Sequence, residues 1–141
     1  MNPSTDTTHR HVVRGAQPYT SAQGTFYAPG ISAETVGATA LFLGVVTLPA
    51  GKRTKAHVHA QHESAFYMLS GEGVELWTGE RLEDCAFARP GDYLFIPAGL
   101  PHVAVNRSPL QPAVFIGTRN APSAQESVLM RPELDGLVPD Q

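Results

Sequence analysis

Residues 89–106 read RPGDYLFIPAGLPHVAVN. Two short apolar runs, Tyr93–Ile96 and Val103–Val105, flank a break made of Pro97, Gly99 and Pro101. His102 stands where the second run begins. Apolar runs of this length bounded by glycine and proline read as β-strands joined by a tight connection, because two prolines and a glycine so close together interrupt any helix.

Upstream, residues 55–71 read KAHVHAQHESAFYMLSG, with three histidines and a glutamate inside seven residues. Alternate residues of a strand share a face, so His57 and His59 point the same way, about 7 Å apart along the chain. Every histidine beyond His9 and His11 lies in one of these two stretches. Two imidazoles from one hairpin, a third from another and a carboxylate suit a first-row divalent metal. The His9-x-His11 pair sits in a polar terminal stretch, and there we read the spacing as coincidence.

The rest of the chain has the same rhythm. Its 13 glycines and 12 prolines are spread between short apolar runs over 141 residues, so we read one domain of roughly eight short strands and no helix of ten residues or more. ATALFLGVVTLPAG, ESAFYMLSGEG, VELWTG, DYLFIP, HVAVN and PAVFIGTR are strands with their turns. Pro29-Gly30 reads as a peripheral turn. Residues 1–17 read as a flexible polar segment and 18–141 as the folded domain. The tail from Asn120 reads as one short helix or extended piece around SVLMRPEL.

Composition excludes several classes. A net charge of −3 and the absence of a Lys/Arg run argue against a nucleic-acid face. No 18-residue apolar run predicts a membrane span, and the N-terminal stretch has no apolar core of a secretory signal. A lone cysteine, Cys85, fits a reducing compartment, so the expected location is cytoplasmic. No nucleotide fingerprint or Ser-His-Asp order is present, and no catalytic residue beyond the metal ligands can be assigned.

With both stretches in hand, the chain resembles a single-domain cupin. The second cupin motif, G-x5-P-x-G-x2-H-x3-N, is matched by Gly91, Pro97, Gly99, His102 and Asn106. The first, G-x5-H-x-H-x3-E-x6-G, is matched by Gly51, His57, His59 and Glu63, with its last glycine one residue late at Gly71. The resemblance implies an all-β, antiparallel jelly-roll barrel with core motifs over 51–106. It also implies one divalent first-row metal (Fe, Mn, Ni, Cu, Co or Zn) held by His57, His59, Glu63 and His102. Counted back from Gly71, the glutamate position falls on Ser64. One residue must therefore be absorbed as a bulge, and a one-residue slip flips every side chain. A bulge after Glu63 leaves Glu63 inward as ligand. A bulge before His62 turns His62 and Ser64 inward, making His62 the alternative to Glu63.

By strand parity Ser64, Phe66 and Met68 line the interior near the metal, with Phe42 and Phe95 as further wall. Asn106 reads as a structural hydrogen-bonder. Lys52, Arg53 and Lys55 are turn charges that could meet an anion at the rim. The implied partner is a small-molecule ligand or substrate. The implied activity is that of a dioxygenase-like metalloenzyme on a chelating oxygenated substrate, with a metal-dependent isomerase or lyase for a sugar or oxo acid, or a non-catalytic binding barrel, as alternatives. A homodimer is also implied, with Phe26–Gly30 as candidate contact.

Overall fold

The computed structural model of the chain describes residues 11–14 and 17–140, so the expected flexible segment 1–17 falls largely outside the described residues. Eleven strands form: β1 Tyr19–Thr20, β2 Phe26–Ile31, β3 Phe42–Leu48, β4 His57–His59, β5 Ser64–Ser70, β6 Val74–Thr78, β7 Asp84–Ala88, β8 Tyr93–Ile96, β9 His102–Val105, β10 Ala113–Arg119 and β11 Val128–Met130. The helices are short: α1, Ala33–Val36, and a 3₁₀ helix at Pro132–Leu137.

All pairings between these strands are antiparallel. One sheet runs β1-β2-β3-β10-β5-β8 and the other β11-β4-β9-β6-β7. From β3 onward the chain passes back and forth between the two sheets, which is the jelly-roll winding. Among the described residues no strand of one sheet pairs with a strand of the other, so the expected barrel is two facing sheets and not a closed cylinder. The edge strands β7 and β8 leave an apolar cleft of about 390 Å³ between them.

Alternation builds the core. In β3, Phe42, Val46 and Leu48 turn inward, and they meet Met68, Leu94 and Phe115 from the same sheet and Val74 and Ala88 from the other. Burying a side chain such as Met68 contributes about 2 kcal/mol. A second cluster covers the outer face of the β9 sheet, where Val103 and Val105 pack against Leu134 and Val138 of the C-terminal segment.

Pro29-Gly30 forms no turn. It lies inside β2, where the register shifts between Pro29 and Ile31. Proline has no N–H for a ladder and is tolerated at such a bulge. The tail around SVLMRPEL divides into β11 and the 3₁₀ helix.

Asn106 closes the frame around the motifs. Its Nδ2 donates to Leu48 O at 3.1 Å and Gln111 O at 2.9 Å, and its Oδ1 accepts from Ser108 N at 3.1 Å.

Candidate metal centre

His57 and His59 both turn into the space between the sheets, and both are buried. Across the sheet, His57 is the direct antiparallel partner of His102. Their rings lie 4.2 Å apart, and His59 lies 4.8 Å from His102. One nitrogen from each of the three histidines falls within 4.8 Å of the others. The connection before His102 is held in place by Gly99, whose N–H donates to His59 O at 2.8 Å while its φ is +81°. Glycine adopts that backbone without strain, which explains its place in the motif.

Backbone carbonyls choose the tautomers. His57 Nδ1 donates to Lys55 O at 2.7 Å and His102 Nδ1 to Leu100 O at 2.9 Å. A carbonyl can only accept, so both Nδ1 atoms carry hydrogen and both Nε2 lone pairs are free. Burial pushes the pKa of His57 down to about 4 and that of His102 to about 3, against the weaker raising effect of those carbonyls. Near neutrality both rings are uncharged, as ligation requires. Three buried neutral imidazoles with free nitrogens fit a first-row divalent ion.

The structure does not bring Glu63 to these histidines. Its side chain is exposed and joins neither cluster of candidate ligands, while its N–H donates to Asn120 Oδ1 at 3.0 Å. The bulge lies after Glu63: Ser70 pairs with Val114 and Met68 with Phe115, leaving Leu69 as the extra residue. Glu63 is nevertheless outward, because residues 60–63 form a bend between β4 and β5, and strand parity does not carry across a bend. Ser64 and Met68 are inward and buried, and Leu69 and Ser70 are both exposed at the bulge. The Ser64 Oγ is buried without a hydrogen-bond partner.

His62 is the buried one of the two residues weighed for the fourth place. It turns to Glu126, in the segment before β11, and lies 3.2 Å from Oε2 through its Nε2. His59 Nδ1 approaches the same oxygen at 3.0 Å, off the direction needed for a hydrogen bond. Gln23 Nε2 donates to the other oxygen at 3.0 Å, with Tyr27 Oη at 3.4 Å, and Arg119 Nη1 stands 3.8 Å from Oε2. Burial alone would raise the Glu126 carboxyl. Contact with His59 and His62 and the charge of Arg119 override it and hold the group well below the usual carboxylate range. His59, His62 and Glu126 thus make a second trio of candidate donors that shares His59 with the first. Nothing in the motifs marks Glu126. The only signal is a carboxylate just ahead of an apolar run in a segment with no periodicity.

Next to the histidines is a cavity of about 60 Å³. Its wall is mostly apolar, with Val46, Leu48, Phe66, Leu94, Ile96 and Phe115 facing in, and Gln23, Thr25 and Thr54 are its uncharged polar members. Phe66 lies on this wall as expected from parity, whereas Ser64 and Met68 are buried but not part of the lining. Phe42 sits in the core beneath the Arg119 guanidinium, 3.8 Å from its ring centre, and Phe95 faces outward on β8. Arg53 is tied to the C-terminal segment, donating to Val138 O at 3.0 Å and Asp135 O at 3.1 Å.

Residues 44–118, more than half of the chain, match the cupin domain family, and the chain belongs to it. No curated protein matches. Among solved structures, oxalate decarboxylase from Bacillus subtilis is 14% identical with a TM-score of 0.66, over 82% of this chain and 29% of that one. An uncharacterised protein with a double-stranded β-helix domain from Klebsiella pneumoniae is 17% identical with a TM-score of 0.59, over 92% of this chain and 84% of that one. DMSP lyase from Ruegeria pomeroyi is 22% identical with a TM-score of 0.55, over 66% of this chain and 44% of that one. The chain therefore spans less than half the length of the lyase and of the decarboxylase. At these identities the likeness is one of fold. Among the described residues no helix is long and apolar enough to cross a membrane.

Proposed function

We propose that this cupin is a small-molecule metalloenzyme of dioxygenase-like type, acting on an oxygenated substrate that chelates its metal. The observation that carries the reading is the convergence of His57, His59 and His102, buried and neutral, beside an apolar cavity. Their nitrogens would hold one divalent first-row ion. When bound, such an ion with open positions supplies Lewis-acid and redox chemistry to a coordinated oxygen ligand.

The protein's own groups do the rest. Lys55 O and Leu100 O hold the rings of His57 and His102 in the ligating tautomer. Glu126, itself held by His62, Gln23 and Arg119, sits on the Nδ1 side of His59 and leaves Nε2 for the ion. The apolar wall around Phe66, Leu94 and Phe115 excludes water and strengthens electrostatic contacts inside. A sugar isomerase would call for a wall rich in hydrogen-bonding groups, which Gln23, Thr25 and Thr54 supply only at one part of the lining.

We also read the protein as a homodimer joined through the outer face of the β1–β8 sheet. Strand register puts Ala28, Val45, Ile116, Tyr67 and Tyr93 in one row across that face and Leu43, Thr118, Ala65 and Phe95 in another. No charged residue falls in either row, and a second copy offers the matching surface. Phe26, the start of the stretch singled out in the sequence, lies on the same face, opposite Thr47.

Elemental analysis of the purified protein, followed by oxygen-uptake assays with chelating substrates, tests the assignment. Near-stoichiometric iron or copper with substrate-dependent oxygen uptake would support it. Tight zinc, nickel or manganese with no oxygen uptake would move the reading to isomerase or lyase chemistry. Protein that no metal can load would make it a ligand-binding barrel.

A further inference from the structure

We propose that the cavity selects a singly charged, oxygen-donating anion over an uncharged ligand of the same shape, and that Ser64 is the residue that sets this preference. The inference rests on the metal-binding reading above and goes further by naming the ligand's charge.

A divalent ion held by three imidazoles keeps its full charge, because neutral nitrogen ligands cancel none of it. The family's motif would set a carboxylate beside them, and counted back from Gly71 that position is Ser64. Here it offers a buried hydroxyl with no partner. The nearby carboxylate, Glu126, is matched already. Its oxygens are shared among His62, Gln23, Tyr27 and His59, and the buried Arg119 guanidinium stands 3.8 Å away. It lies on the far nitrogen of His59, away from His57 and His102, and shares no donor cluster with those two. The cavity wall adds no charge of its own, since Gln23, Thr25 and Thr54 are neutral.

A dication beside an apolar, buried cavity is therefore left uncompensated by the protein. Such charge is costly unless it is paired, and the ion's own charge dominates the local field. An anionic oxygen ligand supplies the missing pairing. An uncharged one of equal size cannot.

Acetate and acetamide match in shape and differ in charge, which makes them suitable probes. The protein is loaded with Co²⁺, the metal content is measured, and each probe is titrated at pH 7 while the cobalt absorption is followed. We expect acetate to bind at least tenfold more tightly than acetamide. In Ser64→Glu the cobalt should be retained and the preference should fall to near unity, whereas Ser64→Ala should keep it. Stoichiometric cobalt with equal binding of the two probes in the wild type would overturn the inference alone. A preference lost in Ser64→Ala would also overturn it, because the hydroxyl itself would then be the anion's partner. Failure to take up cobalt would overturn the metal-binding reading and this inference together. Should Ser64→Glu not fold, the wild-type comparison and Ser64→Asp still decide the matter.

Discussion

His59 is the most heavily constrained residue of the site, with His57 and His102 on one side and Glu126 on the other. Replacing Glu126 by Gln keeps the shape and removes the charge behind that ring. By the usual effect of such outer contacts, metal affinity should fall about 10- to 100-fold, which competition with a chromophoric chelator would measure. His57→Ala and His102→Ala should each abolish stoichiometric metal outright, and elemental analysis reads this directly. The pH dependence follows from burial. His57 and His102 have folded pKa values near 4 and 3, below the ordinary histidine value of about 6.5. The unfolded chain therefore takes up protons first as pH falls. The stability from each ring is complete above about pH 6.5 and is lost progressively from there toward pH 4 and 3, on the order of 3 kcal/mol per ring. Urea melts of metal-free protein at pH 7.5, 6 and 5 should show a falling midpoint. The three ligating histidines were legible because fixed spacing and glycine-proline framing surround them. Glu126 was not legible, because it reaches His59 only through tertiary folding across 67 residues of chain. Glu63 misled because it occupies the motif spacing but sits in a bend.

At the scale of elements, the β5 turn shows how local chemistry sets the register. Gly71 follows the bulge with φ +116°, and a Cβ there would come within 2.8 Å of Pro112 O. Gly71→Ala meets both a backbone penalty and a clash with backbone. It should destabilise the protein by at least about 2 kcal/mol, seen as a lowered thermal midpoint. The same reasoning separates what sequence could and could not say about strands. Alternation in FLGVVTL and AVFIGTR marks one buried face, and both became long central strands. Pro29-Gly30 has the composition of a turn, yet pairing with β3 absorbs it as a bulge, because a long neighbour can hold a strand through one irregular residue.

For the whole molecule, the two outer faces are treated differently. The β9 sheet is covered by Leu134 and Val138, while the outer face of the other sheet leaves Tyr93 at 81% and Phe95 at 59% exposure. An apolar face of this extent marks an interaction surface. Light scattering should therefore give twice the chain mass, and Tyr67→Lys with Phe95→Lys should give a monomer with its metal content intact. Charge and alternation made two-sheet architecture readable from sequence. The open seam between β7 and β8 was not readable, because it depends on which strands end as edges.

The C-terminal segment is strapped down by Arg53 and by Arg107, whose Nη atoms donate to Pro139 O and Asp140 O at 2.8 Å. Earlier along it, Glu34 accepts from Ala124 N at 2.8 Å and fixes the loop that carries Glu126. During synthesis this part of the chain emerges after both histidine motifs. A nascent or prematurely terminated chain that ends beyond Asn106 but short of Glu126 would carry all three ligating rings with His59 unsupported. Tight metal capture is thereby deferred until the strap has arrived, so the order of translation also becomes the order in which the site matures.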